Sequence, residues 1–84
     1  MRNFTVTWHH SAQSELANLY LADPNPSTIT RAANEIDRHL ASNPTNQAIV
    51  VENGCYELTV LLLSVVFRIR HDDRIVEVLR VTRV

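Results

Sequence analysis

The sequence predicts an α+β fold in which a helical hairpin packs on one face of a mostly antiparallel sheet, in the order β-α-α-β-β-β. Three observations carry this expectation. Apolar residues alternate at a spacing of two near the start of the chain and again over its C-terminal part; between those regions lie two stretches of helical spacing; and the breaker Asp23-Pro24-Asn25-Pro26 divides the two stretches. With 84 residues, of which 45% are hydrophobic and 20% charged, the composition is that of one globular domain spanning 1–84, too short for a two-domain enzyme.

Phe4, Val6 and Trp8 alternate with Thr5 and Thr7, predicting a first strand over 3–8. Ser11 is a suitable N-cap, and Ala12, Leu16, Leu19 and Tyr20 then recur at helical spacing, predicting a helix over 11–22. Pro26 or Ser27 opens a second helix, whose stripe of Ile29, Ala33, Ile36 and Leu40 runs to residue 42, where Asn43-Pro44 ends it. Residues 45–54 read as a loop in which Ile49 to Val51 could form a short apolar strand. From Cys55 onward the pattern is β. Tyr56, Leu58 and Val60 alternate, then Val65, Phe67 and Ile69; Asp72-Asp73 marks a hairpin turn, and Ile75 to Arg83 forms the last strand. The apolar register of that strand shifts between Val76/Val78 and Leu79/Val81, which either a β-bulge or burial on both faces accounts for.

This register sends Glu57 and Thr59 of one strand, and Arg68 and Arg70 of the next, to the face away from the helices, with Glu77, Arg80 and Thr82 joining according to the bulge. Two readings of that face stand side by side: a solvated surface of cross-strand Glu–Arg pairs, or a concave polar site in which arginines bind phosphate and Glu57 or Glu77 takes a proton. All eight basic residues are arginines and five of them, Arg68, Arg70, Arg74, Arg80 and Arg83, fall near the C-terminus, yet the net charge is −1, unlike the basic excess usual in proteins that grip a phosphate backbone. His9, His10, His39 and His71 have no metal-ligand spacing, and the single glycine, Gly54, rules out a phosphate-cradling loop, so neither a metal nor a cofactor is expected. The lone Cys55 cannot form an internal disulfide, no signal segment is evident, and Leu58 to Phe67 is too short to span a membrane, so a soluble protein of the reducing cytoplasm is expected. Apolar residues at Ala48 to Val51 and at Val60 to Leu63 exceed what so small a core needs. They predict a partner-binding patch, covered by another protein or by a second copy of the chain in a homodimer.

The run Val6-Thr7-Trp8, Ala12, Glu15-Leu16, Tyr20, Ala33, Ile36-Asp37, Leu40, Asn43-Pro44, Val66-Phe67-Arg68-Ile69, Asp73-Arg74-Ile75-Val76 and Val78-Leu79-Arg80-Val81 with Arg83 resembles the RelE/ParE toxin superfamily over nearly the whole chain. The resemblance implies the β-α-α-β-β-β fold, a toxin of a type II toxin–antitoxin module, and a small cognate antitoxin as partner. It also implies one of two actions: RelE-like cleavage of messenger RNA on the ribosome, or ParE-like poisoning of DNA gyrase without a catalytic site. The RelE-like branch carries two basic residues where this chain has Glu57 and Thr59, and another near Ser64. Of its basic cluster Arg83 is the counterpart present; Arg83 and Arg80 are the candidate catalytic residues, with Arg68 and Arg70 as RNA- or target-binding residues. Val60, Leu61 and Leu62 are the candidate antitoxin contacts, and a degenerate, catalytically inactive binding module is the alternative to a toxin.

Overall fold

A computed structural model describes residues 4–84 of the chain. Seven elements follow one another: β1 (Thr5–Trp8), α1 (His10–Ala22), α2 (Pro26–Ser42), β2 (Ile49–Glu52), β3 (Cys55–Val60), β4 (Leu63–Arg70) and β5 (Ile75–Arg83). The strands form one sheet in the order β1-β5-β4-β3-β2, antiparallel except where β1 runs parallel to β5. The α+β class and the helical hairpin are as the sequence predicts, and the sheet has one strand more. The segment left open at residues 49–51 is strand β2, joined to β3 through Asn53 and Gly54, both with positive φ (44° and 78°). Two central residues in that conformation make a type I′ turn, for which Asn-Gly is the favoured pair.

Other boundaries differ by small amounts with identifiable causes. Asn3, expected to begin the first strand, lies outside the described residues, and pairing starts at Thr5. Helix α1 begins at His10, and Ser11 does not cap it; the Ser11 hydroxyl donates instead to the Leu79 carbonyl on β5, 3.4 Å away. On α2 the buried stripe is Ile29, Ala32, Ile36 and Leu40, so Ala32 takes the place predicted for Ala33, which is half-buried.

Both helices cover one face of the sheet. Beneath them Leu58, Leu63, Val65, Phe67, Val76, Val78 and Val81 are closed off from solvent, with Tyr56 stacked on Phe67 at a ring separation of 5.5 Å. Each such side chain contributes about 1.5–3 kcal/mol by leaving water. The register shift in β5 is a bulge: Val66 opposes Arg80 while Phe67 opposes Val78, so Leu79 is the extra residue. Val76 and Val78 before it and Val81 after it thereby all reach the core.

The apolar run at Val60 to Leu63 is mostly absorbed by this core, which corrects the expectation of an apolar excess there. Leu63 is fully buried, and Val60 and Leu62 pack against the cluster from its margin. Leu61 alone stands out at the tip of the β3–β4 turn, 60% exposed and with φ of 55°. A branched side chain in the left-handed region is strained, and glycine relieves that strain. Leu61→Gly relieves about 1–2 kcal/mol of left-handed strain against the roughly 0.4–1 kcal/mol by which glycine favours the unfolded chain, so stability is expected to rise by up to about 1 kcal/mol, measured as an increase in the denaturant midpoint; a decrease would mean that the contacts of Leu61 outweigh its backbone strain.

Candidate functional site

The face of the sheet away from the helices carries the polar side chains that strand alternation puts there. Cross-strand partners on it are Glu57 with Val66, Thr59 with Ser64, Ser64 with Thr82, Val66 with Arg80, and Arg68 with Glu77. Its centre is not basic. The Ser64 hydroxyl, nearly buried, donates to the Glu57 carboxylate at 3.0 Å.

At one end of this face the Glu77 carboxylate meets two arginines of β4 and the histidine that follows β1. Glu77 of β5 accepts from Arg68 Nε of β4 at 2.5 Å, and both Arg70 Nη1 and His9 Nε2 lie 3.9 Å from its second oxygen. The Arg68 hydrogen bond holds the Glu77 carboxyl below its ordinary value of 4.5 against the opposing effect of burial, and the charges of Arg68, Arg70 and His9 add to the lowering. Arg68 and Arg70 thus share the predicted face, Arg68 tightly tied and Arg70 loosely held.

Arg80 and Arg83, the two candidate catalytic arginines, lie on opposite faces of the sheet. Arg80 lies on the open face but turns to the edge of the sheet, where its Nε donates to Glu15 of α1 at 3.0 Å. The same Glu15 accepts the backbone N–H of Val81 at 2.9 Å. Arg83 sits opposite the buried Leu63, so its side chain leaves the strand on the helix side, where it forms an ion pair with Asp23 at the end of α1. β1 pairs only with residues 75–78 of β5, and α1 takes over the vacant edge beyond Val78. Glu15 and Asp23 were outside the sequence-based candidates; the signal for Glu15 was a lone carboxylate in the otherwise uncharged first helix.

A groove on the helical layer was not anticipated. It has a volume of about 630 Å³ and runs between α1 and α2, floored by Leu16, Ile29 and Ala33 and bordered by Tyr20 and Leu21. At its Trp8 end the indole N–H donates to Asp37 at 3.3 Å. Among the described residues no group of His, Cys, Asp and Glu side chains is placed to hold a metal ion, and no helix is long and apolar enough to cross a membrane. Cys55 occupies an outward position of β3 opposite Arg68.

No family model matches the sequence, and no curated protein is significantly similar to it. Solved structures are similar over the whole chain. With a TM-score of 0.81 and 20% identity, 98% of this chain matches 99% of a chain in the RelBE2 toxin–antitoxin complex of Mycobacterium tuberculosis. A chain of the chromosomal ParDE toxin–antitoxin system of P. aeruginosa matches with a TM-score of 0.73 and 20% identity, over 98% of this chain and 97% of that one. The archaeal RelE–RelB complex of Pyrococcus horikoshii gives 0.77 at 16% identity, over 96% and 94%. The fold is therefore the one that the solved RelE and ParE structures share.

The two ionic assemblies make separate predictions. Because folding lowers the Glu77 pKa, the stability it contributes is complete above 4.5 and is lost as pH falls through the folded value. Glu77→Gln is expected to be less stable than the parent at neutral pH, with the difference shrinking as pH drops below 4.5. Denaturant midpoints across that range test this, and a difference independent of pH would remove the ionised carboxylate from the account. At the helix edge, Glu15→Ala leaves the Val81 N–H without its acceptor and is expected to cost about 1–3 kcal/mol. Glu15→Gln, which keeps an acceptor oxygen, should lose less than about 1 kcal/mol; equal losses in the two variants would count against the backbone hydrogen bond as the main contribution.

Proposed function

We propose that this chain is the toxin-side partner of a toxin–antitoxin pair, neutralised by a small cognate antitoxin, and that it arrests growth by binding its target rather than by cutting RNA. The observation that carries the first part is the whole-length likeness to chains solved within toxin–antitoxin complexes. The second part follows from the open sheet face. A phosphorane formed during RNA cleavage needs donors aimed at its equatorial oxygens. The centre of this face instead presents the Glu57 carboxylate, held by Ser64, while Arg80 is engaged by Glu15 and Arg83 lies on the other side of the sheet with Asp23.

DNA gyrase, the target of the ParE-like branch that the sequence resembles, is accordingly favoured over ribosome-bound message. Arg70, exposed and only loosely held by Glu77, is the cation of the open face best placed to meet that target, with Arg68 beside it. Leu61, projecting between the marginally packed Val60 and Leu62, is the proposed antitoxin contact at the β3–β4 turn. A cytoplasmic site of action follows from either target.

Induction of the chain alone in growing cells tests the proposal. The expected outcome is arrest without codon-dependent message cleavage, with gyrase-linked DNA breaks, and relief of arrest by Arg70→Ala at a stability cost under about 0.5 kcal/mol. Message cleavage that disappears in Arg83→Ala would restore an RNase and overturn the binding mechanism. Normal growth at high soluble expression would identify an inactive binding module instead.

A further inference from the structure

The two edges of the sheet are treated differently. On β1 the outer edge is plugged at both ends: the Phe4 N–H donates to the Ala41 carbonyl at 2.9 Å, and Gln13 Nε2 donates to the Trp8 carbonyl at 3.1 Å. On β2, at the opposite edge, no hydrogen bond from another segment reaches the outer side among the described residues. Its side chains are also uncovered, Ile49 at 65% and Val50 at 68% exposure. Natural edge strands are usually protected by lysine, proline or an inward-facing charge. Here the chain has no lysine, the strand has no proline, and its one charge, Glu52, sits at the hairpin end. The remaining protection is the register shift near Val51, which disturbs the hairpin end and leaves Ile49 and Val50 in regular pairing with β3.

We propose that two copies of this chain pair through antiparallel β2–β2 addition, joining their sheets across a two-fold axis. The occupant of the edge is a second copy because the strand is complementary to itself. An antiparallel pair centred on Val50 brings Val50 against Val50 of the second copy with Ile49 and Val51 beside it, and sends the two Glu52 carboxylates to opposite ends, so no two like charges face each other and the apolar residues meet. The contact is isologous and uses up the exposed edge of both copies, while the plugged β1 edges prevent further addition. Four residues a side bury well under the ~1,200 Å² of a stable interface, so association is weak, with a Kd above about 10 μM.

Sedimentation equilibrium of the purified chain from about 10 μM to 1 mM, together with amide hydrogen exchange, tests the proposal. The parent should pass from monomer to dimer mass and no further, and β2 amides should gain protection as concentration rises. Val50→Lys, a change at an exposed position, should weaken the dimer at least tenfold, whereas Leu21→Lys, at an exposed apolar residue of α1, should leave it unchanged. A monomer throughout the range, growth beyond the dimer, protection elsewhere than β2, or equal weakening by both variants would each overturn the proposal. Should Val50→Lys fail to fold, the exchange pattern of the parent decides alone.

Discussion

The extra residue at Leu79 divides β5 into two halves with different duties, and much of the molecule is arranged around that division. Before it, Val76 and Val78 face the helices and the strand is central, flanked by β1 and β4. After it, alternation restarts one residue out of phase. Val81 returns to the core, and Arg80 and Thr82 go to the open face. In an unbulged strand the parity would be reversed, sending Arg80 among apolar side chains and Val81 into water, and an unpaired charge in that position would be costly. The second half of β5 has no β1 beside it, and α1 closes the edge through side chains in place of a ladder.

This arrangement accounts for most of the arginines that crowd the C-terminal strands. Arg68 is bound by Glu77, Arg80 by Glu15, Arg83 by Asp23, and the Arg74 guanidinium lies 4.9 Å from the centre of the Phe4 ring. Basic residues that cluster in sequence are thus spread over separate partners in space, on both faces and at one edge of the sheet. Guanidinium groups suit such roles because their planar donors engage a carboxylate or an aromatic face from a fixed geometry. Arg68, Arg80 and Arg83 each find their carboxylate on another strand or at a helix, so the arginine-rich C-terminal strands do not present a continuous basic surface.

The legible parts of the fold were those written in local periodicity. The stripe of Ile29, Ile36 and Leu40, the breaker at residues 23–26, and the shift at Leu79 are all visible as spacing, and each marks the feature it implies. β2 was obscured because all four of its residues are exposed, so no alternation marks it; the readable cue was the Asn53-Gly54 turn that follows. Val60 to Leu63 misled for the opposite reason. Apolar residues on both sides of a two-residue turn look excessive in sequence, yet the chain reversal returns Leu63 to the core beside Val60. The placement of Arg83 was beyond local reading, because it depends on counting through the bulge and on an aspartate sixty residues earlier.

The order of the strands in space also bears on how the chain is made. β5 is last in the sequence, yet it lies between β1, the first strand, and β4. While the chain is being made, the helical hairpin and the β2–β3–β4 meander touch only where α2 lies over β3 and β4, and β1 has no partner strand until residues 75–83 enter between it and β4. Pairings of such wide sequence separation form late and slowly. Until the final strand is released, Val65 and Phe67 of β4 lack the edge that seals them, and the nascent chain has neither its central strand nor the face on which Glu77 stands. The five-stranded sheet is therefore closed only when β5 enters between the first strand and the meander.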